Sequence, residues 1–212
     1  MDYDVIAFIV SGLLLMLYYL YLGRCSRRHP ETCVHALNAK LRARWVAMVM
    51  ASDKRDILAV QTLRNSVMAA NFMASTSILL IIGTLNTGEK IGPWLLQWHT
   101  GALGGGFSSA GWQIKLGFLL LVFAVAFFCF SMAIRFFNHV GYMINLSNST
   151  ADPLLYQQTC AYLNRAGCYY TYGTRSFFMS LPLIAWFFGA YFLVLVTVLL
   201  IAGLAVLDRV PE

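Results

Sequence analysis

Apolar residues run along this chain in four long blocks, without the alternation of strands. The first, Val5 to Leu22, holds no charged residue and ends in "GRCSRRHP". The second lies within residues 57–85, the third within 116–137 and the fourth within 177–207. Each reaches the ~20 residues that cross about 30 Å of hydrocarbon. Lipid gives the backbone no hydrogen-bond partners, so a spanning segment is a helix or part of a closed barrel. Continuous apolar runs select helices. The pattern predicts an all-α membrane protein, one transmembrane domain over residues 1–212. It has four transmembrane helices and cytoplasmic segments at 23–56 and 138–176. Asp2 and Asp4 precede the first block and Arg24, Arg27 and Arg28 follow it. That order is the reverse of a cleaved signal peptide, so the first block reads as a retained span.

Between the blocks the periodicity changes. Val34, Leu37, Leu41, Trp45 and Met48 fall on one helical stripe, flanked by Lys40 and Arg44 on one side and Arg42 and His35 on the other. Two settings suit such an amphipathic helix: the inner headgroup region, with basic stems snorkelling to phosphate, or the surface of a second inner helix. "SDKRDILAVQ" reads as a helix start, with Ser52 or Asp53 as cap and Asp56 in the first turn. A helix from about Lys54 to Leu85 is on the order of 45 Å long, so its first turns project beyond the bilayer. The third helix likewise continues past Arg135 to about Leu146. "STADPLL" opens a new helix with Asp152 as cap and Pro153 at the first helical position, ending near Arg165 or Tyr170. Pro182 is expected to kink the fourth span near the inner face. The loop "GALGGGFSSAG" lacks the lysine of a phosphate-binding loop and reads as a flexible connection; Trp94, Trp98 and Trp112 belong to an outer aromatic belt.

Composition supports this class. The chain is 59% hydrophobic and 11% charged, with mean hydropathy +0.68; soluble domains carry about 25% charged residues. The net charge of +6 is unevenly spread. Arg24, Arg27, Arg28, Lys40, Arg42, Arg44, Lys54, Arg55, Arg64, Arg135, Arg165 and Arg175 fall on one side of a four-span topology, against Lys90, Lys115 and Arg209 on the other. The positive-inside bias makes the first side cytoplasmic and puts both termini on the non-cytoplasmic side. The basic balance is then a topology signal, and no module for nucleic-acid binding is present. The 5 cysteines are scattered and mostly face the reducing side, which argues against a disulfide framework.

The second span begins with unusual residues. Gln61, Arg64, Asn65, Met68, Asn71, Phe72 and Ser75 share one helical face. Arg135, Asn138, His139, Tyr142 and Asn145 repeat the spacing on the third helix. Antiparallel helices bring both faces to the cytoplasmic end, where Arg175 and "YYTYGTR" also enter. Neither face carries a carboxylate. Two readings stand: arginines snorkelling to lipid phosphates with asparagines bonded between helices, or a cationic vestibule that admits an anion or headgroup.

At these residues a family comes into view. "ILAVQTLRNSVMAANFMASTS", preceded by "RWVAMVMASDKRD" and followed by "GYMIN" and "YGTRSFFMSLPLIAWFFG", resembles a family of bacterial and plant membrane proteins known as domain of unknown function five-nine-nine. The resemblance covers nearly the whole chain and is most specific in "LAVQTLRN". It implies a multi-span inner-membrane protein and brings no activity; Gln61, Thr62, Arg64 and Asn65 look like the family's central polar block.

Cys25, His29, Cys33 and His35 contain metal-ligand residue types. Their spacing fits no standard finger, Pro30 interrupts them, and Arg27 and Arg28 repel a cation, so no metal or other cofactor is expected. His139 reads as a hydrogen-bonded interior residue or a relay. No nucleophile–base pair, acid dyad or dinucleotide fingerprint is present, so the chain is not read as an enzyme. The expected partners are membrane lipids and either further copies or a larger membrane complex. The expected role is a homo-oligomeric channel or transporter with a basic vestibule; an accessory subunit or a lipid-headgroup binder are the alternatives.

Overall fold

The computed structural model describes residues 2–28, 34–51, 56–88, 109–146 and 153–208. Six helices account for nearly all of them: α1 (Asp2–Arg28), α2 (Val34–Met50), α3 (Asp56–Gly88), α4 (Ser109–Asn145), α5 (Pro153–Trp186) and α6 (Ala190–Leu207). Four helices, α1, α3, α4 and α6, are long and apolar enough to cross a membrane. As expected, α3 and α4 exceed the bilayer: at 33 and 37 residues they are about 50 and 55 Å long. Pro153 opens α5, where a missing N–H costs nothing.

Polar contacts at two levels fix the direction of each helix. At one pole, Asp4 of α1 meets Lys115 of α4 at 3.3 Å and accepts a hydrogen bond from Trp186 Nε1, at the end of α5, at 3.1 Å. At the other pole, Asp208, just past α6, accepts from the Tyr18 hydroxyl of α1 at 2.5 Å and pairs with Arg175 of α5. Hence α1, α4 and α6 run from the Asp4 pole to the Asp208 pole. Helices α3 and α5 run back, since Ala59 and Leu63 at the start of α3 share a cluster with Val140 and Ile144 near the end of α4.

The fourth candidate span is Ala190–Leu207, within the predicted stretch 177–207. The rest of that stretch is the end of α5 and a turn. Helix α5 does not stop near Tyr170; it continues to Trp186, and the chain reverses at Phe187–Gly189 before α6. The reversal tightens through Phe187 and Phe188 N–H bonds to the carbonyls of Ile184 and Ala185. It needs Gly189, whose φ of 151° and ψ of 163° lie in a region open essentially to glycine alone. Pro182 lies one turn from the Asp4-pole end of α5, not near the opposite face. Asp4 and Asp208 therefore sit at opposite poles of the bundle.

The core is layered along the axis. Ala7, Leu119, Phe123, Leu183, Trp186 and Leu193 pack near the Asp4 pole, and Ala74, Ala126 and Phe130 in the middle. Near the other pole Val46, Leu63, Ala133, Phe137, Val140 and Leu163 belong to a third cluster. At Gly173 a Cβ would stand 2.9 Å from the Phe130 ring, so glycine is what lets α4 and α5 close. Helix α3 packs on α4 and makes at most marginal contact with every other helix, which leaves it at the edge.

Charges mark depth. Asp4 and Arg24 on α1, and Lys115 and Arg135 on α4, are each separated by about 20 uncharged residues, or about 30 Å, the thickness of a hydrocarbon core. Arg24, Arg64 and Arg135 thus define a basic rim.

Reporter domains fused to the two ends should register on opposite sides of the membrane; the same side for both would restore a four-pass topology. Gly189→Ala should lower stability by about 1–3 kcal/mol from backbone strain, read as a drop in thermal midpoint in detergent. Gly203→Ala, whose Cβ would meet nothing within 4 Å, should leave it unchanged.

Candidate polar and basic site

The polar face of α3 is assembled by helical spacing alone. Ala59, Leu63, Ala70, Ala74 and Ser77 form the buried face that packs on α4. Their small size allows close approach to Ala126 and Ala133. That register turns Gln61, Arg64, Asn65, Met68, Asn71, Phe72 and Ser75 away from the bundle, and all are exposed. Ile57, Val60, Gln61, Arg64, Asn65 and Met68 line a shallow, open hollow, and among the described residues its walls come from this one helix. Asn71 lies about 10 Å beyond Arg64 along the axis, inside the hydrocarbon belt.

Arg135, Asn138, Tyr142 and Asn145 are likewise exposed on α4. His139 is exposed rather than interior and meets the Tyr162 ring edge-on, with centroids 5.9 Å apart. Among the described residues Gln61, Arg64, Asn65, Asn71, Arg135 and Asn138 make no hydrogen bond or ion pair within the chain. Among the described residues no hydrogen bond or ion pair joins the two stripes.

Arg175 does not join them. It pairs with Asp208, and its guanidinium lies 5.7 Å from the Tyr19 ring centre. Asp208, just past the end of α6, meets Arg175 because α6 runs back along α5 after the turn at Gly189. Both side chains are largely sheltered, with 15% and 17% of their area exposed. Tyr18, which touches Asp208, is about 21 Å along α1 from Asp4 and about 9 Å short of Arg24 at the basic rim.

Two polar clusters had no signal in the spacing. Arg42 of α2 reaches across to α5, where its Nη2 donates to Asn164 Oδ1 at 2.9 Å and its guanidinium covers Gly167. A Cβ on Gly167 would stand 2.3 Å from Arg42 Nη1. Burial pulls this guanidinium below its ordinary value, with nearby Cys168 acting in the opposite sense; an arginine starts so high that it stays charged at neutral pH. At the other pole Lys115 also donates to the Trp186 carbonyl at 3.2 Å, a cation at the end of α5. Both clusters join residues far apart in sequence, so no local pattern could reveal them.

The helix α2 does pack on α5, but by only part of the predicted stripe: Trp45 is on the packed face, and Val34 and Leu37 are half-buried. Val46 and Val49 are buried together with half-buried Arg42 and Trp45, whereas Leu41 and Met48 face outward. The hydrogen-bonded arginine decides this register against the apolar stripe. Of the metal-type residues, His29 and Cys33 and the side chain of His35 lie outside the described residues, as do Asp53 and Asp152, Trp94 and Trp98, and the glycine-rich loop. Among the described residues no group of histidines, cysteines and carboxylates could hold a metal ion. Trp112 packs edge-on against Phe187 at the Asp4 pole.

The sequence model of a family described as protein of unknown function, DUF599, matches residues 6–212. No curated protein and no solved structure matches the chain.

Removing one member of the Arg175–Asp208 pair strands the other in a low-dielectric setting. Arg175→Leu or Asp208→Leu should each cost about 2–3 kcal/mol, the fully buried figure reduced for residual exposure. The double variant should cost much less than the two together. A double-mutant cycle on thermal unfolding measures this coupling, and additive losses would show that the pair contributes nothing.

Proposed function

The chain belongs to the DUF599 family of proteins of unknown function, and from that premise we propose a homo-oligomeric membrane protein whose α3 helices line a shared path for small anions. One observation carries this reading: the polar stripe of α3 lies on the outer face of an edge helix, and its hollow has walls on one side only. Asn71 and Ser75 sit within the hydrocarbon belt. An amide left without a hydrogen bond there costs roughly 1–3 kcal/mol by protein mutational data. A second copy turning the same stripe inward satisfies both, as self-complementary surfaces do around a symmetry axis. Above the stripe the exposed face becomes apolar, with Leu79, Ile82 and Leu85 suited to lipid or helix contact.

Charge gives the path its sign. Arg64 stands at the basic rim with a fixed positive charge and forked donors, and several copies of it would form a cationic ring. Rings of arginine favour anion entry. The basic pole is the cytoplasmic one by the positive-inside bias, so the ring faces the cytoplasm. We read the chain as a conduit rather than an enzyme.

A second reading keeps the same surface and changes its partner. Gly117 and Gly203 face open space on the outer surface, so a different membrane subunit could approach α4 and α6 closely while covering α3. Purification in gentle detergent separates the two: a symmetric assembly of this chain supports the conduit, and a stoichiometric second protein supports the subunit.

Reconstituted protein should conduct chloride or nitrate above empty liposomes, and Arg64→Ala should lower the anion-over-cation preference several-fold. Asn71→Cys should cross-link between copies. Flux equal to empty liposomes together with no Asn71→Cys cross-link would refute the proposal.

A further inference from the structure

Helix α2 has two faces, and among the described residues only one is occupied. The occupied face carries Arg42, Val46 and Val49 against α5 and the ends of α3 and α4. On the opposite face Leu41 and Met48 are 49% and 50% exposed, with Lys40 and Arg44 exposed beside them. The depth of this helix is fixed independently of its composition. Val46 and Val49 cluster with Leu63, Ala133 and Phe137, the immediate neighbours of Arg64 and Arg135 at the basic rim. At its start, Val34 N–H donates to the Asp208 carbonyl at 3.4 Å. Helix α2 therefore crosses the bundle where hydrocarbon gives way to headgroups.

We propose that this outer face is a binding site for anionic phospholipid headgroups of the leaflet at the basic pole. Leu41 and Met48 enter the acyl boundary, and Lys40 and Arg44 hold phosphate oxygens above it. Charge complementarity selects the occupant. Neither cation has a carboxylate partner among the described residues. An apolar pair flanked by two cations at headgroup depth matches an anionic leaflet, whose attraction falls off within a Debye length. The contact with α5 holds the helix in place beforehand, so lipid binding need not fold it. This site is separate from the α3 stripe, and the conduit reading stands or falls without it.

The test uses the full chain in vesicles of phosphatidylcholine with or without phosphatidylglycerol. Spin labels at Leu41→Cys and Met48→Cys should be more accessible to oxygen than to a water-soluble nickel relaxer, and a label at Asn38→Cys should show the reverse. Retention of phosphatidylglycerol in native mass spectrometry should fall about five-fold for each of Lys40→Gln and Arg44→Gln, and more than tenfold for the pair. Phosphatidylcholine retention should stay constant. Labels at Leu41→Cys and Met48→Cys exposed to water, labels shielded only when copies associate, or equal phosphatidylglycerol retention in wild type and the double variant would each overturn the site.

Discussion

Hydrocarbon cannot hydrate an ion, so the pairing of Arg175 with Asp208 sets what the rest of this fold is able to do. Helix α5 is not among the helices apolar enough to cross a membrane. Its polar groups are met inside the bundle: its arginine finds a carboxylate, and the Thr171 and Thr174 hydroxyls donate to carbonyls one turn back. Its polar lower half also lies against α4 and α2. The carboxylate arrives only because α6 returns along α5 after the turn at Gly189. Tyr18 closes the group from α1. The ion pair and the tyrosine thus tie α1, α5 and α6 together at one pole.

The stripe on α3 shows the opposite outcome of the same constraint. Its arginine, glutamine and asparagines meet no carboxylate or amide among the described residues, since α3 packs on α4 through its other face, Ala59, Leu63, Ala70, Ala74 and Ser77. A polar face at hydrocarbon depth without internal partners is a surface built to be covered. Arg175 is a structural cation; Arg64 is an available one. Similar side chains at neighbouring depths differ in role because one faces a returning helix and the other faces outward.

Helix α2 shows how packing reassigns an amphipathic segment. Its apolar stripe was legible, and so were the basic residues beside it. What local pattern could not reveal is that Arg42 would turn inward over Gly167 and bond Asn164. That inward turn leaves Leu41 and Met48 to the outside, at the level of the basic rim.

The chemical character of the chain was settled by its order of residues: helices rather than strands, the extents of α1, α3 and α4, the start of α5 at Pro153, and the polar stripes on α3 and α4. These follow from hydrophobic length and from the 3.6-residue period, which are local quantities. Within the apolar stretch 177–207, hydropathy does not show where α5 ends and α6 begins, because it measures transfer of isolated residues and is blind to a reversal permitted by one glycine. Whether a stripe faces inward or outward, which cation meets Asp208, and which face of α2 is buried were decided only in three dimensions. Each depends on contacts between residues far apart in sequence, whose energy no local window contains.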